Sequence, residues 1–248
     1  MRALVLPLFL LCLSAVAAHA ADGAQSRAIG FSPDARYFAF EQYGIQDGSG
    51  SAYSEIYVLD TEHDSWVKGT PVRVQGEEGE GDIAATRAKA LAQATPAMAP
   101  LNLTGAYDTL VHMPFTELVA ERRKVRFGRY YISTADTAAY EALGSYELQV
   151  KDVAVPQPAD CPDPEDFTIV GMELAIKNLK SGVVKIFAKD ASIPKSRYCP
   201  LAYDLEAIFA PTAYGLKRDP LVALIGVYSR GFEGSDRRFI AVPFELPE

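Results

Sequence analysis

The residues of this 248-residue chain that could do chemistry gather around one loop. Glu41 and Glu55 flank the segment Tyr43 to Tyr53, which carries Asp47 in the stretch Asp47-Gly48-Ser49-Gly50. Two acids held roughly 5 to 9.5 Å apart across a groove can cleave a glycosidic bond, one as general acid and the other as nucleophile or base. If the flanking segments pair as a hairpin, Glu41 and Glu55 become neighbours, and Tyr43 and Tyr53 become platforms on which a sugar could stack. Without such an acid pair the same residues read as the wall of a small-ligand site, or as the solvated side of an amphipathic strand. A second loop, Gly231 to Asp236, leads into Asp236-Arg237-Arg238. Should both loops meet at one rim, the binding residues there would be Glu41, Tyr43, Asp47, Tyr53, Glu55, Asp236 and Arg237.

Other chemistries find less support. A serine nucleophile needs a base within hydrogen-bond reach, and beyond residue 20 the chain offers only His63 and His112, neither in a motif. No Gly-x-Ser-x-Gly elbow or His-Glu-x-x-His helix is present. Asp47-Gly48-Ser49-Gly50 and Glu77-Glu78-Gly79-Glu80-Gly81-Asp82 put carboxylates on glycine-rich loops, but not at EF-hand spacing. The reading therefore assigns no metal and no cofactor.

The start of the chain reads as a secretion signal. Arg2 supplies a short positive region, Ala3 to Val16 is an apolar run, and Ala18-His19-Ala20 has the small-x-small form of a cleavage site before Ala21. The run is short of the roughly 20 apolar residues that cross a bilayer. Residues 1–20 are thus expected to leave as a signal peptide, and 21–248 to remain as one mature domain with no membrane span. Cys161 and Cys199 then remain, and in an oxidising compartment the economical reading is one disulfide between them. Each precedes a proline, which places both in extended or turning segments.

Charge excludes a further class of partner. The chain carries 24 Lys and Arg against 32 Asp and Glu, a net charge of −8, whereas nucleic-acid binding rests on clustered cations that release counterions. The one short basic cluster, Arg122-Arg123-Lys124 with Arg126, sits beside apolar strand residues and reads as a solvated strand edge.

These residues must be positioned mostly by strands. Ile29 to Phe40 contains Ser32-Pro33-Asp34-Ala35, a type I turn signal with proline at its second position. Beyond it Phe38 and Phe40 alternate with Tyr37, Ala39 and Glu41, the period of two of a sheet strand. Glu55 to Asp60 follows, and Ser65 to Val74 can pair back on it. Gly76 to Gly81 is an acidic, glycine-rich linker, and 82–94 is a helix capped by Asp82 and ended by Pro96. A second short helix is expected over about 137–143. Further strands are expected over 107–112, 124–132, 145–155, 167–178, 183–188, 202–209, 221–228 and 237–244. About twelve strands make only three four-stranded blades, too few for a closed propeller. The fold class is mainly β: two packed antiparallel sheets, or a propeller-like partial barrel.

The turn Phe31-Ser32-Pro33-Asp34-Ala35 with the strand Tyr37-Phe38-Ala39-Phe40 resembles a hairpin in blades of TolB-type periplasmic β-propellers, with Ala35 where glycine is usual. Over Gly30 to Val67, Ile193 to Pro200 and Asp236 to Val242 the chain resembles a bacterial family of predicted secreted proteins with a domain of unknown function. That resemblance implies export and a continuous domain, and carries no activity. The function expected is that of a non-catalytic, exported periplasmic protein binding another envelope protein or a cell-wall component. The alternatives are a small-ligand or sugar-binding module and a carboxylate-dependent hydrolase. Mass spectrometry of exported material should find a chain starting at Ala21 and lighter by two protons than its reduced form; an intact leader on thiol-bearing protein contradicts both expectations.

Overall fold

A computed structural model describes residues 22–103, 106–119, 121–132, 140–161, 167–212, 216, 218–231 and 234–248. The expected leader and its cut before Ala21 lie outside these residues. Among them the chain forms thirteen strands in three antiparallel sheets, with one α-helix and no closed barrel. The mainly β, antiparallel class is as expected, with three sheets where a sandwich would have two.

The first sheet contains β1 (Gln25–Phe31), β2 (Tyr37–Ile45), β3 (Ala52–Asp60), β4 (Ser65–Trp66) and β5 (Val72–Gln75), and both β4 and β5 pair with β3. The expected turn is present: the Ala35 N–H donates to Ser32 O at 2.9 Å, Ser32 Oγ donates to Asp34 Oδ1 at 2.6 Å, and the Tyr37 N–H donates to Ser32 Oγ at 3.0 Å. Ala35 stands at φ 57°, a conformation costing an L-residue about 1–2 kcal/mol. Its methyl group is fully buried among Phe31, Phe38 and Phe40, and burial of one such group returns about 0.8 kcal/mol.

α1 (Ile83–Met98) lies on the outer face of the first sheet, presenting Thr86, Ala90 and Ala94 at a spacing of four, with the two alanines against Ile56 and Val74. Asp82 caps it as expected, its side chain accepting the Ala85 N–H at 2.9 Å. The helix does not stop at Pro96 but runs through it to Met98. A proline so near the end removes one intrahelical hydrogen bond where few carbonyls remain to be satisfied. The chain then tightens into a 3-10 turn, Ala99–Leu101, and leaves through Asn102 in the left-handed region at φ 50°.

The middle sheet has the order β13 (Ser235–Phe244), β12 (Leu221–Arg230), β11 (Pro200–Pro211), β6 (Tyr107–His112). The third has β10 (Val184–Lys189), β9 (Val170–Asn178), β8 (Tyr140–Ala154), β7 (Lys124–Ile132). The short helix expected over 137–143 is not formed where the chain is described: Tyr140 to Ala142 belong to β8 and pair with Ile132 to Tyr130, so ladder pairing overrides local propensity. Residues 137–139 lie outside the described residues. Two cores separate the three sheets. Phe38, Phe40, Tyr57 and Leu59 of the first meet Phe209, Leu224 and Phe239 of the middle one. On its other side Leu205, Ile208, Ile225 and Val242 meet Leu148, Val150, Leu174 and Ile176 of the third.

Two links tie these layers. Cys161 and Cys199 form a disulfide, with Cα atoms 5.7 Å apart and a sequence separation of 38. Closing a loop of that length stabilises the fold by about 4 kcal/mol in the chain-entropy model. Residues 22–24 also run beside β13, with a parallel bridge from Gly23 to Arg237, before the same chain enters the first sheet as β1.

Because the strained backbone and the buried methyl group of Ala35 offset each other, Ala35→Gly should change stability by less than about 1 kcal/mol. A urea midpoint that rises or falls by more than this would show that one of the two contributions dominates.

Candidate functional site

The hairpin of β2 and β3 decides what Glu41 and Glu55 can do. Its register sets Glu41 opposite Ile56 and Gln42 opposite Glu55, and neighbouring residues of a strand point to opposite faces. The two acids are therefore on opposite sides of the first sheet, and the groove pairing expected of a hydrolase is not formed. Tyr43 and Tyr53 are separated in the same way: Tyr43 lies under the Arg87 guanidinium at 3.8 Å on the helix side, and Tyr53 joins the core between sheets.

Glu41 is an anchor for the helix. It is 2% exposed and accepts from Arg87 Nε and Arg87 Nη2 at 2.9 Å each, from Ser54 Oγ at 3.0 Å, and pairs with Arg27 Nε at 3.2 Å. Burial alone would raise its carboxyl; the hydrogen bonds from Arg87 and Ser54, with the charges of Arg87 and Arg27, outweigh this and hold it below the ordinary carboxylate value. Glu55 belongs to the seam between sheets. It accepts from Gln42 Nε2 at 2.6 Å and Tyr57 Oη at 2.5 Å, and pairs with Arg73 at 3.2 Å. Gln42 Oε1 in turn accepts the Phe239 N–H of β13 at 2.7 Å.

The two loops singled out in the sequence do meet, through Asp22. Tyr53 Oη donates to Asp22 Oδ1 at 2.8 Å, Arg238 Nη2 binds Asp22 Oδ2, and the Asp22 N–H donates to Asp236 Oδ1 at 3.2 Å. Arg238 also covers the Tyr53 ring at 4.5 Å. Asp47 accepts the Gly48 N–H at 2.9 Å, and its other oxygen has no hydrogen-bond partner among the described residues. Asp236 is raised, first by burial; the Asp22 N–H and Arg238 pull it down, and the charges of Asp22 and Asp47 push it up. Tyr53, Asp47 and Asp236 thus share a rim, with Asp22 and Arg238 added by the fold. Glu41 and Tyr43 lie on the helix side of the sheet, while Glu55 shares a face with Tyr53 and its charge acts on Tyr53 and Arg238.

Arg237 belongs to a cluster that the sequence reading missed. Its Nη1 lies 3.3 Å from Glu206 Oε2, its Nη2 donates to Ala24 O at 3.2 Å, and its guanidinium lies 4.8 and 5.0 Å from the rings of Phe115 and Phe239. Beside it Asp204 accepts from Tyr228 Oη at 2.8 Å, and His112 Nε2 lies 3.9 Å from Glu206. Asp204 and Glu206 are 6% and 4% exposed, and Asp204 Oδ1 has no hydrogen-bond partner among the described residues. That oxygen lies where a side chain at Gly226 would begin, 2.3 Å from an ideal Cβ, so only glycine leaves it room. Burial dominates in raising both carboxyls, against the pull of Arg237, with Asp204 raising Glu206 further. Two acids within the apolar run Leu201 to Pro211, and an arginine two strands away, were the available signal.

Among the described residues one group of potential metal ligands is present: atoms of Asp60, Glu62 and His63 lie within 4.8 Å of one another. Arg36 already fills the position of a cation there, with Nη2 and Nε at 3.0 and 3.3 Å from Asp60 Oδ2 and Nε 3.7 Å from Glu62.

Two cavities of about 310 Å³ each follow β13 and β10 and share Phe187. One is lined by Leu59, Trp66, Met172, Ala188, Arg197 and Ala241 among others, the next by Thr61, Lys185, Arg218, Pro243 and Glu245. Phe187 stacks on Phe244 at 4.7 Å between them.

A family model described as a predicted secreted protein, DUF2259, matches residues 39–245. A search of curated proteins finds no match.

Both raised carboxyls bind a proton more readily in the fold than in the unfolded chain. Their contribution to stability is present below the ordinary carboxylate range and is lost as pH rises through the raised values. Asp204→Asn keeps an acceptor for Tyr228 and cannot ionise, so it should gain on the unsubstituted protein as pH climbs from about 4 toward neutrality. Urea midpoints of the two proteins measured across that range should diverge in favour of the variant; a constant gap or the opposite trend refutes the assignment.

Proposed function

Because the chain belongs to DUF2259, a family described as predicted secreted proteins, we propose that it works in the periplasm as a non-catalytic protein that binds another envelope protein or a cell-wall component. The observation carrying this reading is how its surface chemistry is distributed. Glu41, Glu55 and Arg237, the charged residues best suited by type to catalysis, have internal partners and hold helix, seam and sheets together. Large apolar side chains are exposed at several places, among them Phe115 and Leu118 after β6, and four of them lie along or near β10. Val183, Val184 and Ile186 are 47, 59 and 52% exposed on or beside the edge strand β10, and Tyr198 is 76% exposed after the turn that carries Arg197. Exposed aliphatic and aromatic groups next to a cleft are the composition of a binding surface.

Photo-crosslinking in intact cells tests the reading. A photoreactive residue at Val184 or Ile186 should give a discrete adduct, absent when the probe replaces Leu91 on the exposed side of α1. An adduct that survives cell-wall digestion identifies an envelope protein, and one that collapses identifies a wall component. No adduct at either position, or equal adducts at Leu91, removes the proposal.

A further inference from the structure

We propose that the cleft between β13 and β10 receives an extended, apolar segment of a partner protein, added as a strand to the uncovered half of β13. This rests on the binding reading above and specifies its ligand.

The backbone of β13 points to a strand as the occupant. Its pairing with β12 runs without a bulge from Ser235 to Phe244, and antiparallel strands alternate residues that bond inward with residues that bond outward. Three observations identify the outward set. The Arg237 N–H donates to Asp22 O at 2.9 Å, the Ala24 N–H donates to Arg237 O at 3.1 Å, and the Phe239 N–H donates to the Gln42 side chain. Outward bonding therefore falls on Arg237, Phe239, Ala241 and Pro243. Proline suits its place, since the N–H it lacks would have pointed away from β12.

At Arg237 the chain covers this edge itself, residues 22–24 forming a parallel bridge there. The second half is left open. Ala241 is 5% exposed, the alternation turns its N–H and carbonyl away from β12, and no hydrogen bond reaches them across this edge among the described residues. Buried backbone groups are seldom left unpaired, and these face the cavities that follow 240–245. A strand laid there would supply both missing bonds and extend a pairing the molecule already uses on the same edge, which is strand addition.

The walls select the side chains. A strand beside β13 would send alternate side chains to Leu59 and Trp66 on one side, and to Met172 and Phe187 on the other. Both are apolar. The cations and acids near them are largely committed: Arg197 is 2.6 Å from Asp190, Lys189 is 2.7 Å from Glu173, and Arg218 is 2.9 Å from Glu245. A segment of about six uncharged residues, apolar on both faces where it passes Ala241, fits this cleft.

The probe is a library of random linear octapeptides displayed on phage and panned on the mature, disulfide-bonded protein, with selected peptides remade synthetically. Binding measured by calorimetry should fall at least tenfold on Ala241→Pro, which removes the outward N–H and leaves the ladder to β12 intact, as Pro243 already does. N-methylation at alternate peptide residues should weaken binding by a similar factor. In the unsubstituted protein a bound peptide should slow hydrogen exchange of the Ala241 amide, a readout that holds even if the variant fails to fold. Peptides that bind the variant equally, or leave the Ala241 amide unprotected, would move the binding site and sink the cleft while leaving the wider binding proposal standing. Failure to select any peptide also counts against the cleft. A dimer dissociated by Ala241→Pro would replace the foreign partner with a second copy of this chain.

Discussion

The two central strands of the middle sheet are buried on both faces, and most of the structure follows from that constraint. Between Leu221 and Val227 every residue of β12 is buried, and so is every residue of β11 from Tyr203 to Pro211. A sheet so placed cannot turn polar side chains toward solvent, so any it carries must be satisfied internally or neutralised. Asp204 and Glu206 are the result: raised carboxyls that share Arg237, Tyr228 and His112, with Gly226 cut back to make room. The loop after β6 closes over them. Arg122 donates to the carbonyls of Met113, Pro114 and Glu117, and so fixes the segment that brings Phe115 onto Arg237.

Two buried faces also require a neighbour on each side, and the layers are joined differently. Between the middle and third sheets the contact is aliphatic and large. Toward the first sheet an aromatic core grades into a polar seam, where Gln42 reaches Phe239 and Tyr53 reaches Asp22. The outer face of the third sheet, turned to solvent, carries ordinary cross-strand charge pairs instead: Lys124 and Arg126 on Glu147, Lys151 and Lys189 on Glu173. Acids in this molecule thus differ by layer. On the outer face they are ion-paired to lysine and arginine across strands, and at the seams they are enclosed and hydrogen-bonded.

Much of this was legible in the residues. The Ser32 turn, the Asp82 cap and the strands 107–112 and 124–132 follow from local chemistry, and the structure places them as expected. What local pattern cannot carry is which strand pairs with which. β6 follows the helix in sequence and joins β11 far along the chain, so the division into three sheets is a property of distant contacts. The relation of Glu41 to Glu55 failed for a narrower reason. Their separation fits a hairpin, but the face each occupies depends on register, and a shift of one residue in the loop between them would exchange every side chain of a strand. Asp204 and Glu206 went unremarked because acids in an apolar run look like interruptions until the partner on β13 is known.

Register also explains where the molecule is left open. Residues 22–24 cover the start of β13, and by Gln25 the chain has turned away to pair with Tyr43 in the first sheet. One segment cannot hydrogen-bond along two sheets at once, so covering further than Arg237 would strip β1 of its partner. Gln42 satisfies the next outward donor with a side chain, at Phe239. Beyond that Trp66 and Leu59 supply only apolar surface, and β4 has ended after two residues. The unpaired stretch at Ala241 is therefore a consequence of how the first strand must cross between sheets, and it lies beside the cavities that the crossing leaves unfilled.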